Sequence, residues 1–392
     1  MSTAVGRGSP FFVGRREVVA ARRAPDTVYL VLVLVMLVVG AVMSYSASSV
    51  YGLQFYQDPA YFLKRYLLFA ILSIIATAPM VLFARPAFFR LLSVALYGGS
   101  ILLLLLVLLI GTVGGGARRW LVLGPLTIQP SEVAKLGLLM ILALVMSKHE
   151  VEIHSQKKRG GSLRYGVLLP GALIALVGGL VAAEKHISGL LIICMIGVGV
   201  MFLGGTRIRY LAWMGGAVGA AGSLLIMVSS YAQRRVETWL HVEEVDPLGS
   251  AWQTLQGLYA IGSGGLFGVG LGRGRQKYGY VSQPQNDFIF TVICEELGFV
   301  GAALLLCLFL ALILRGFRIA AHLSDRFSAL VVYGISLKLA VQTVLNLAVV
   351  TNAMPNTGVS LPFFSSGGTF LAMQIFEMGI VLALSRYSAQ KV

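Results

Sequence analysis

The sequence predicts an all-α polytopic membrane protein, with about ten transmembrane helices and a large extracytoplasmic loop between the seventh and the eighth. Three observations carry this. Of 392 residues, 57% are apolar and 12% charged, and the mean hydropathy of +0.84 does not suit a water-soluble domain of this length. Apolar runs long enough to cross a hydrocarbon core recur along the chain. Between them, arginines and lysines gather in short segments, the pattern of basic loops held on the cytoplasmic side.

The predicted spans run over 27–48, 61–83, 91–112, 130–147, 165–183, 187–204, 208–229, 287–314, 327–351 and 369–385. Residues 1–26 read as a cytoplasmic basic tail. They carry Arg7, Arg15, Arg16, Arg22 and Arg23 and lack the apolar core and small-residue cleavage site of a signal peptide. An even number of crossings then leaves 27–386 as one transmembrane domain and 387–392 as a short cytoplasmic tail, so both termini are expected inside. The inner loops hold Arg85, Arg90, Lys148, Lys157, Lys158, Arg159, Arg164, Arg207, Arg209, Arg315, Arg318 and Arg326. The loop over about 230–286 falls outside; its Arg234, Arg235, Arg273, Arg275 and Lys277 do not oppose this, because long loops translocate largely regardless of charge.

A formal charge of +15 could suggest a nucleic-acid partner, yet the basic residues are spread over many loops and form no stripe, so none is expected. Cys194, Cys294 and Cys307 lie in apolar runs without disulfide or metal spacing. The five histidines, His149, His154, His186, His241 and His322, share no ligand spacing.

Four polar features interrupt the apolar pattern. Asp287 ends the longest hydrophilic excursion, in Gln-Pro-Gln-Asn-Asp-Phe-Ile-Phe (283–290), where water meets lipid. A carboxylate there can take a proton from a polar substrate whose tail stays in hydrocarbon, which makes it a candidate catalytic base. The run Gly-Val-Gly-Leu-Gly-Arg-Gly (268–274) has no preceding strand and no GK[ST], so it does not read as a nucleotide cradle. It reads as a flexible re-entrant or interfacial turn, or as an anion-binding rim with Arg273, Arg275 and Lys277. Glu132 and Lys135, three apart on one helix, share a face and can neutralise each other. With Glu295, Glu296, Lys338 and Glu377 they imply a polar interior, serving either as helix–helix glue or as substrate contacts. Lastly, Arg118, Arg119 and Trp120 precede a helix opened by Pro130; its free N–H groups suit a phosphate, or the cluster is an interfacial anchor.

Gly-Ala-Arg-Arg-Trp, Gln-Pro-Ser-Glu-Val-Ala-Lys, Gly-Ser-Gly-Gly-Leu-Phe-Gly-Val-Gly-Leu-Gly, Asn-Asp-Phe-Ile-Phe-Thr-Val-Ile-Cys-Glu-Glu-Leu-Gly and Leu-Pro-Phe-Phe-Ser-Ser-Gly-Gly-Thr resemble, in order, the landmarks of the SEDS family (FtsW, RodA, SpoVE). The resemblance runs from the first span to the last and is nearer the FtsW and SpoVE branch. It implies a ten-helix peptidoglycan glycosyltransferase that polymerises lipid II outside the bacterial cytoplasmic membrane, in division or sporulation, releasing undecaprenyl pyrophosphate. It also implies pairing with a class B penicillin-binding protein, contact with membrane lipid, and association with other division or elongation proteins.

The family's essential acid falls on Asp287, its Arg-Arg-Trp signature on Arg118, Arg119 and Trp120, and its intramembrane pair on Glu132 and Lys135. Asp287 is thus the expected catalytic residue, and the other five, with Lys338, are the expected substrate and pyrophosphate contacts; a divalent ion such as Mg or Mn is the candidate cofactor. Departures from the family pattern are Val281, Ser282 and Gln283 where Leu-Pro-Glu is common, Lys185 and His186 in place of Pro-Asp or Pro-His, and Asn352, Asn356 and Phe370 in the closing signature. The missing glutamate before the base puts a metal role there in doubt. A lipid II flippase is the alternative, since a polar cavity suits transport too, although no inverted repeat is visible. A noncatalytic scaffold would leave Asp287 without purpose.

Overall fold

The computed structural model describes residues 23–387 except 115–116, 125, 155–158, 229, 243–250, 282–284 and 366–367. Arg7, Arg15, Arg16, Arg22, Lys157, Lys158, Ser282 and Gln283 therefore lie outside the described residues. Every predicted span is found as a helix. In order these are α1 (Thr27–Tyr56), α2 (Tyr61–Phe83), α3 (Pro86–Ile110) and α4 (Pro130–Lys148). Two short helices, α5 (Glu150–His154) and α6 (Arg159–Leu163), lead through a π turn into α7 (Leu169–Ala183). Then come α8 (Ile187–Leu203), α9 (Ile208–Val228), α10 (Ser230–Leu240), α11 (Trp252–Ser263), α12 (Ile289–Ala321), α13 (Arg326–Val350) and α14 (Gly368–Ser385). Among the described residues eight helices are long and apolar enough to cross a membrane, and α8 is a shorter apolar one of 17 residues. The chain is a multi-pass membrane protein.

Burial sorts the helices into a centre and a periphery. The most apolar stretches of α4, α13 and α14 are each 78% buried, against 17% for α2 and 28% for α3 and α12. Outward residues on the peripheral helices are large and apolar, such as Leu102, Leu109, Phe299 and Leu304, as a hydrocarbon solvent requires. The three central helices also hold most of the charges the sequence puts at membrane depth, and each has a partner. Lys135 donates to Glu132 at 2.6 Å, and Lys338 pairs with Glu377. Unpaired, each such ion would cost several kcal/mol.

The two ends of the fold meet. Asp26 caps α1 by accepting from the Tyr29 N–H at 2.8 Å and takes two bonds from Arg315, at 3.0 and 2.7 Å. Its own N–H donates to Ser385 Oγ at the end of α14. Arg386 then donates to the Arg23 carbonyl at 3.0 Å. Start and finish thus lie on one side of the bundle.

Two features of the fold depart from the expected helices. A small antiparallel sheet, β1 (Thr112–Gly114), β2 (Ala117–Leu123) and β3 (Leu126–Ile128), stands between α3 and α4 where the sequence reading had only a polar cluster. In addition, α12 is broken at Gly298, whose φ of 66° and ψ of −170° are not helical.

The break explains the glycine run. Val269 and Gly270 donate to the carbonyls of Glu295 and Glu296, while Phe299 and Val300 donate to those of Gly265 and Leu266. The broken backbone is thereby sealed by protein, as non-helical chain inside a membrane must be. The amides of Gly272 and Gly274 donate to the Glu296 carboxylate, and those of Arg275 and Gln276 to Glu295. Lys277 completes the cluster at 2.8 Å from Glu296, beside Ser46 of α1. The run is thus neither a loose turn nor a free anion rim: the anions its amides bind are the chain's own. Arg273 and Arg275 stay exposed, whereas Lys277 is buried.

A Cβ at Gly298 would lie 2.2 Å from the Gly268 nitrogen, and one at Gly268 2.1 Å from the Glu296 carbonyl oxygen. Both glycines have positive φ. Gly298→Ala or Gly268→Ala is therefore expected to cost about 2–6 kcal/mol, left-handed strain plus overpacking. Thermal unfolding in detergent checks this, with Gly262→Ala, which meets nothing within 4 Å, as the variant expected to behave like the parent.

Candidate active site

One cavity of about 1020 Å³ opens among α4, α8, α13, the sheet and the loops before α12 and after α13. Among the described residues lining it, Arg65, Arg119, Lys135 and Arg235 stand against two carboxylates, Glu132 and Asp287. The balance is cationic and favours an anionic guest.

Local rules place each group. Pro130 opens α4 and puts Glu132 and Lys135 in its first two turns, buried and one above the other. Lys135 Nζ also lies 6.0 Å from the centre of the Phe370 ring on α14, a cation–π contact made by one of the departures from the family pattern. On β2 successive residues face opposite ways. Arg119 and buried Leu121 point inward and Arg119 lines the cavity, whereas Arg118 is exposed. Trp120, half-buried, edges the opening. β3 is held against α14 by the Thr369 hydroxyl, which donates to the Thr127 carbonyl at 2.9 Å.

Asp287 sits two residues before α12 and lines the cavity. The Asn346 amide on α13 donates to the carbonyls of both Asp287 and Val359, each at 2.7 Å. One side chain thereby ties the Asp287 segment to the loop after α13. In that loop Gly358, at φ 69°, passes the carboxylate so closely that a Cβ there would stand 3.4 Å from Asp287 Oδ2. Burial pushes the Asp287 carboxyl up to about 6, with its own backbone amide opposing. A base with that value is stronger than an ordinary aspartate and still ionised at neutral pH.

The structure thus brings together Arg119, Trp120, Glu132, Lys135 and Asp287. Arg118 and Lys338 are not among the lining residues. Lys338 is buried against Glu377, within electrostatic reach of Glu132 and Lys135. Residues that sequence reasoning did not assign to the site also line it: Arg65, His186, Arg235, Gln253, Gln342, Asn352 and Asn356. Only His186, Asn352 and Asn356 carried a signal, as a helix-mouth residue and as departures from the family pattern.

Among the described residues no group of three or more His, Cys, Asp or Glu is placed to hold a metal ion. The cavity's two carboxylates do not form such a set, and Glu132 is already bonded to Lys135.

Residues 26–390 match the FtsW/RodA/SpoVE family, described as cell cycle proteins. The stage V sporulation protein E of Bacillus subtilis is 37% identical over 371 residues, 94% of this chain and 98% of that protein. A probable peptidoglycan glycosyltransferase FtsW of Trichlorobacter lovleyi is 37% identical over 363 residues, 92% of this chain and 93% of that one. Among solved structures, a chain of a peptidoglycan synthase complex that coordinates polymerization and crosslinking is 31% identical, with a TM-score of 0.76, covering 93% of this chain and 98% of that chain. The rod shape determining protein RodA of Thermus thermophilus is 30% identical with a TM-score of 0.68, covering 94% and 99%. Ordered motifs, a shared helical fold and likeness over nearly the whole length have one conclusion: the chain belongs to the FtsW/RodA/SpoVE family.

Proposed function

We propose that the protein is a peptidoglycan glycosyltransferase that polymerises lipid II on the outer face of the cytoplasmic membrane, with both termini inside. The carrying observation is one cavity lined both by a half-buried carboxylate, Asp287, and by a cationic set that includes Arg119 and Lys135. Relatives that match over more than nine-tenths of the chain are named as probable peptidoglycan glycosyltransferases.

Asp287 takes the proton from the 4-hydroxyl of the acceptor's terminal GlcNAc as that oxygen attacks the donor's anomeric carbon. The bond from that carbon to the pyrophosphate oxygen breaks, and the electron pair leaves with undecaprenyl pyrophosphate. Arg119 and Lys135, with Arg65 and Arg235 at the same cavity, stabilise the developing polyanion. Attack from the opposite face converts an α-linked lipid phosphate to a β-linked glycan. Pyrophosphate is a good leaving group, so one base suffices where glycosidases need two carboxylates. Lys338 and Glu377 act behind this layer by holding Glu132 and Lys135 in place. The likeness to a peptidoglycan synthase complex supports a crosslinking partner, a class B penicillin-binding protein.

The test is labelled lipid II given to the purified protein, alone and with its crosslinking partner, with products separated by size. Glycan ladders support the reading; movement of lipid II across a liposome bilayer without polymer would favour a flippase. Parity on β2 gives a sharper expectation. Arg119→Gln should slow polymerisation about 10²–10³-fold, the effect of losing one charge-stabilising donor, while exposed Arg118→Gln should stay within a few-fold of the parent.

A further inference from the structure

Beyond the pyrophosphate cations, the cavity has a second kind of wall. Three of its most deeply buried lining side chains each carry a buried polar atom without a hydrogen-bond partner: Glu132 Oε2, His186 Nδ1 and Gln342 Oε1. The residues are 5%, 7% and 1% exposed, so all three are nine-tenths buried or more. They come from three different helices, the first turn of α4, the N-cap of α8 and the middle of α13. Those helices pack pairwise against one another, and all three residues line the same cavity. Glu132 Oε1 is taken by Lys135, which leaves Oε2.

Orphaned buried acceptors are rare, because each forfeits its hydration without a replacement bond. Here all three are acceptors or can be. A carboxylate oxygen and an amide oxygen accept only, and a neutral imidazole carries one accepting nitrogen. Burial and the nearby charges of Lys135 and Arg119 push the His186 imidazole down to about 4, so it is neutral in use. A wall of acceptors repels phosphate and suits a ligand rich in O–H and N–H donors. An N-acetylated amino sugar has that chemistry.

Its position tells which sugar. Lys135 donates to Glu132, and His186 lies within electrostatic reach of Lys135 and Arg119. These are the cations assigned above to the leaving pyrophosphate, so the wall adjoins the sugar bonded to it. The seat is also shaped for the His186 ring: a Cβ at Gly189 would stand 2.6 Å from its Nδ1.

Resting on the polymerase reading, we propose that Glu132, His186 and Gln342 form the donor-sugar subsite, an acceptor wall that binds hydroxyl and amide N–H groups of the amino sugar carried on the pyrophosphate. The cationic rim then holds the phosphates and the wall holds the ring, which fixes the anomeric carbon between Asp287 and the leaving group.

The test compares two probes on the full-length protein in nanodiscs, lipid II and undecaprenyl pyrophosphate, which keeps the lipid and phosphates but lacks the sugars. Gln342→Leu and His186→Phe, which keep size and remove the acceptor, should each weaken lipid II binding about tenfold and leave undecaprenyl pyrophosphate within about twofold. His186→Gln, which restores an acceptor, should recover most of the loss. Intact binding of undecaprenyl pyrophosphate shows that a variant is folded. If both probes weaken equally, or if lipid II binding is unchanged, the subsite is refuted. The two readings fail separately. A parent that makes no polymer yet shows this selectivity loses the polymerase assignment and keeps the subsite, whereas one that polymerises without the selectivity does the reverse.

Discussion

Asp287→Asn is expected to slow glycan extension about 10²–10⁴-fold, the range that a positioned general base supplies. The exchange keeps the shape and removes the proton acceptor. The backbone placement should survive it, because the tie to Asn346 runs through the Asp287 carbonyl and not the carboxylate. Removing a carboxylate that burial already disfavours also relieves a desolvation cost. The variant should therefore express and unfold at or above the parental temperature while losing turnover. Loss of both together would instead mark Asp287 as structural. Asp287→Glu keeps the chemistry but lengthens the arm beside Gly358, so it should retain a small part of the activity.

The second large effect lies below the cavity. Lys338→Met is expected to destabilise the protein by about 3–5 kcal/mol, because it leaves Glu377 with an uncompensated charge in the interior. Both side chains are 1% exposed, and Glu132 and Lys135 lie within electrostatic reach of the pair, so acids and bases alternate through the bundle centre. Removing both partners keeps that balance. The double variant Lys338→Met with Glu377→Leu should regain most of the lost stability, as apolar replacements of buried ion pairs often do. Thermal unfolding in detergent reads the three proteins together. A double variant as unstable as the single one would show that Lys338 matters through something other than its bond to Glu377.

Hydrophobic length and the i, i+3 spacing carried much of this fold into plain view. Span positions follow from apolar runs that the bilayer demands, and the Glu132–Lys135 pair follows from helical geometry alone. Asp287 stood out as a candidate because it is a carboxylate at the end of a long polar interruption, and it does line the cavity. What was hidden depends on partners distant in sequence. The sheet has strands of three, seven and three residues, too short to show an alternating pattern. Without it, nothing separates Arg119 from Arg118. The break at Gly298 has no local cue, since the carbonyls and amides that seal it belong to residues about 30 positions earlier. In the same way Lys338 and Gln342 share one face of α13, yet only the packing of α4, α8 and α14 puts one against Glu377 and the other in the cavity. Convergence of Arg65, Arg235 and Asn352 is likewise a product of tertiary structure.

The role of Asp287 as base is tested most directly by the pH dependence of polymerisation on saturating lipid II, in the parent and in Asp287→Asn. The carboxylate works only when ionised, and burial raises its value to about 6. The parental rate should therefore be level near neutral pH and fall tenfold per unit as the medium drops below about 6. The residual rate of Asp287→Asn should lack that limb. A parental profile that stays flat from about pH 5 to 8, or the same acid limb persisting in the asparagine variant, would contradict the assignment.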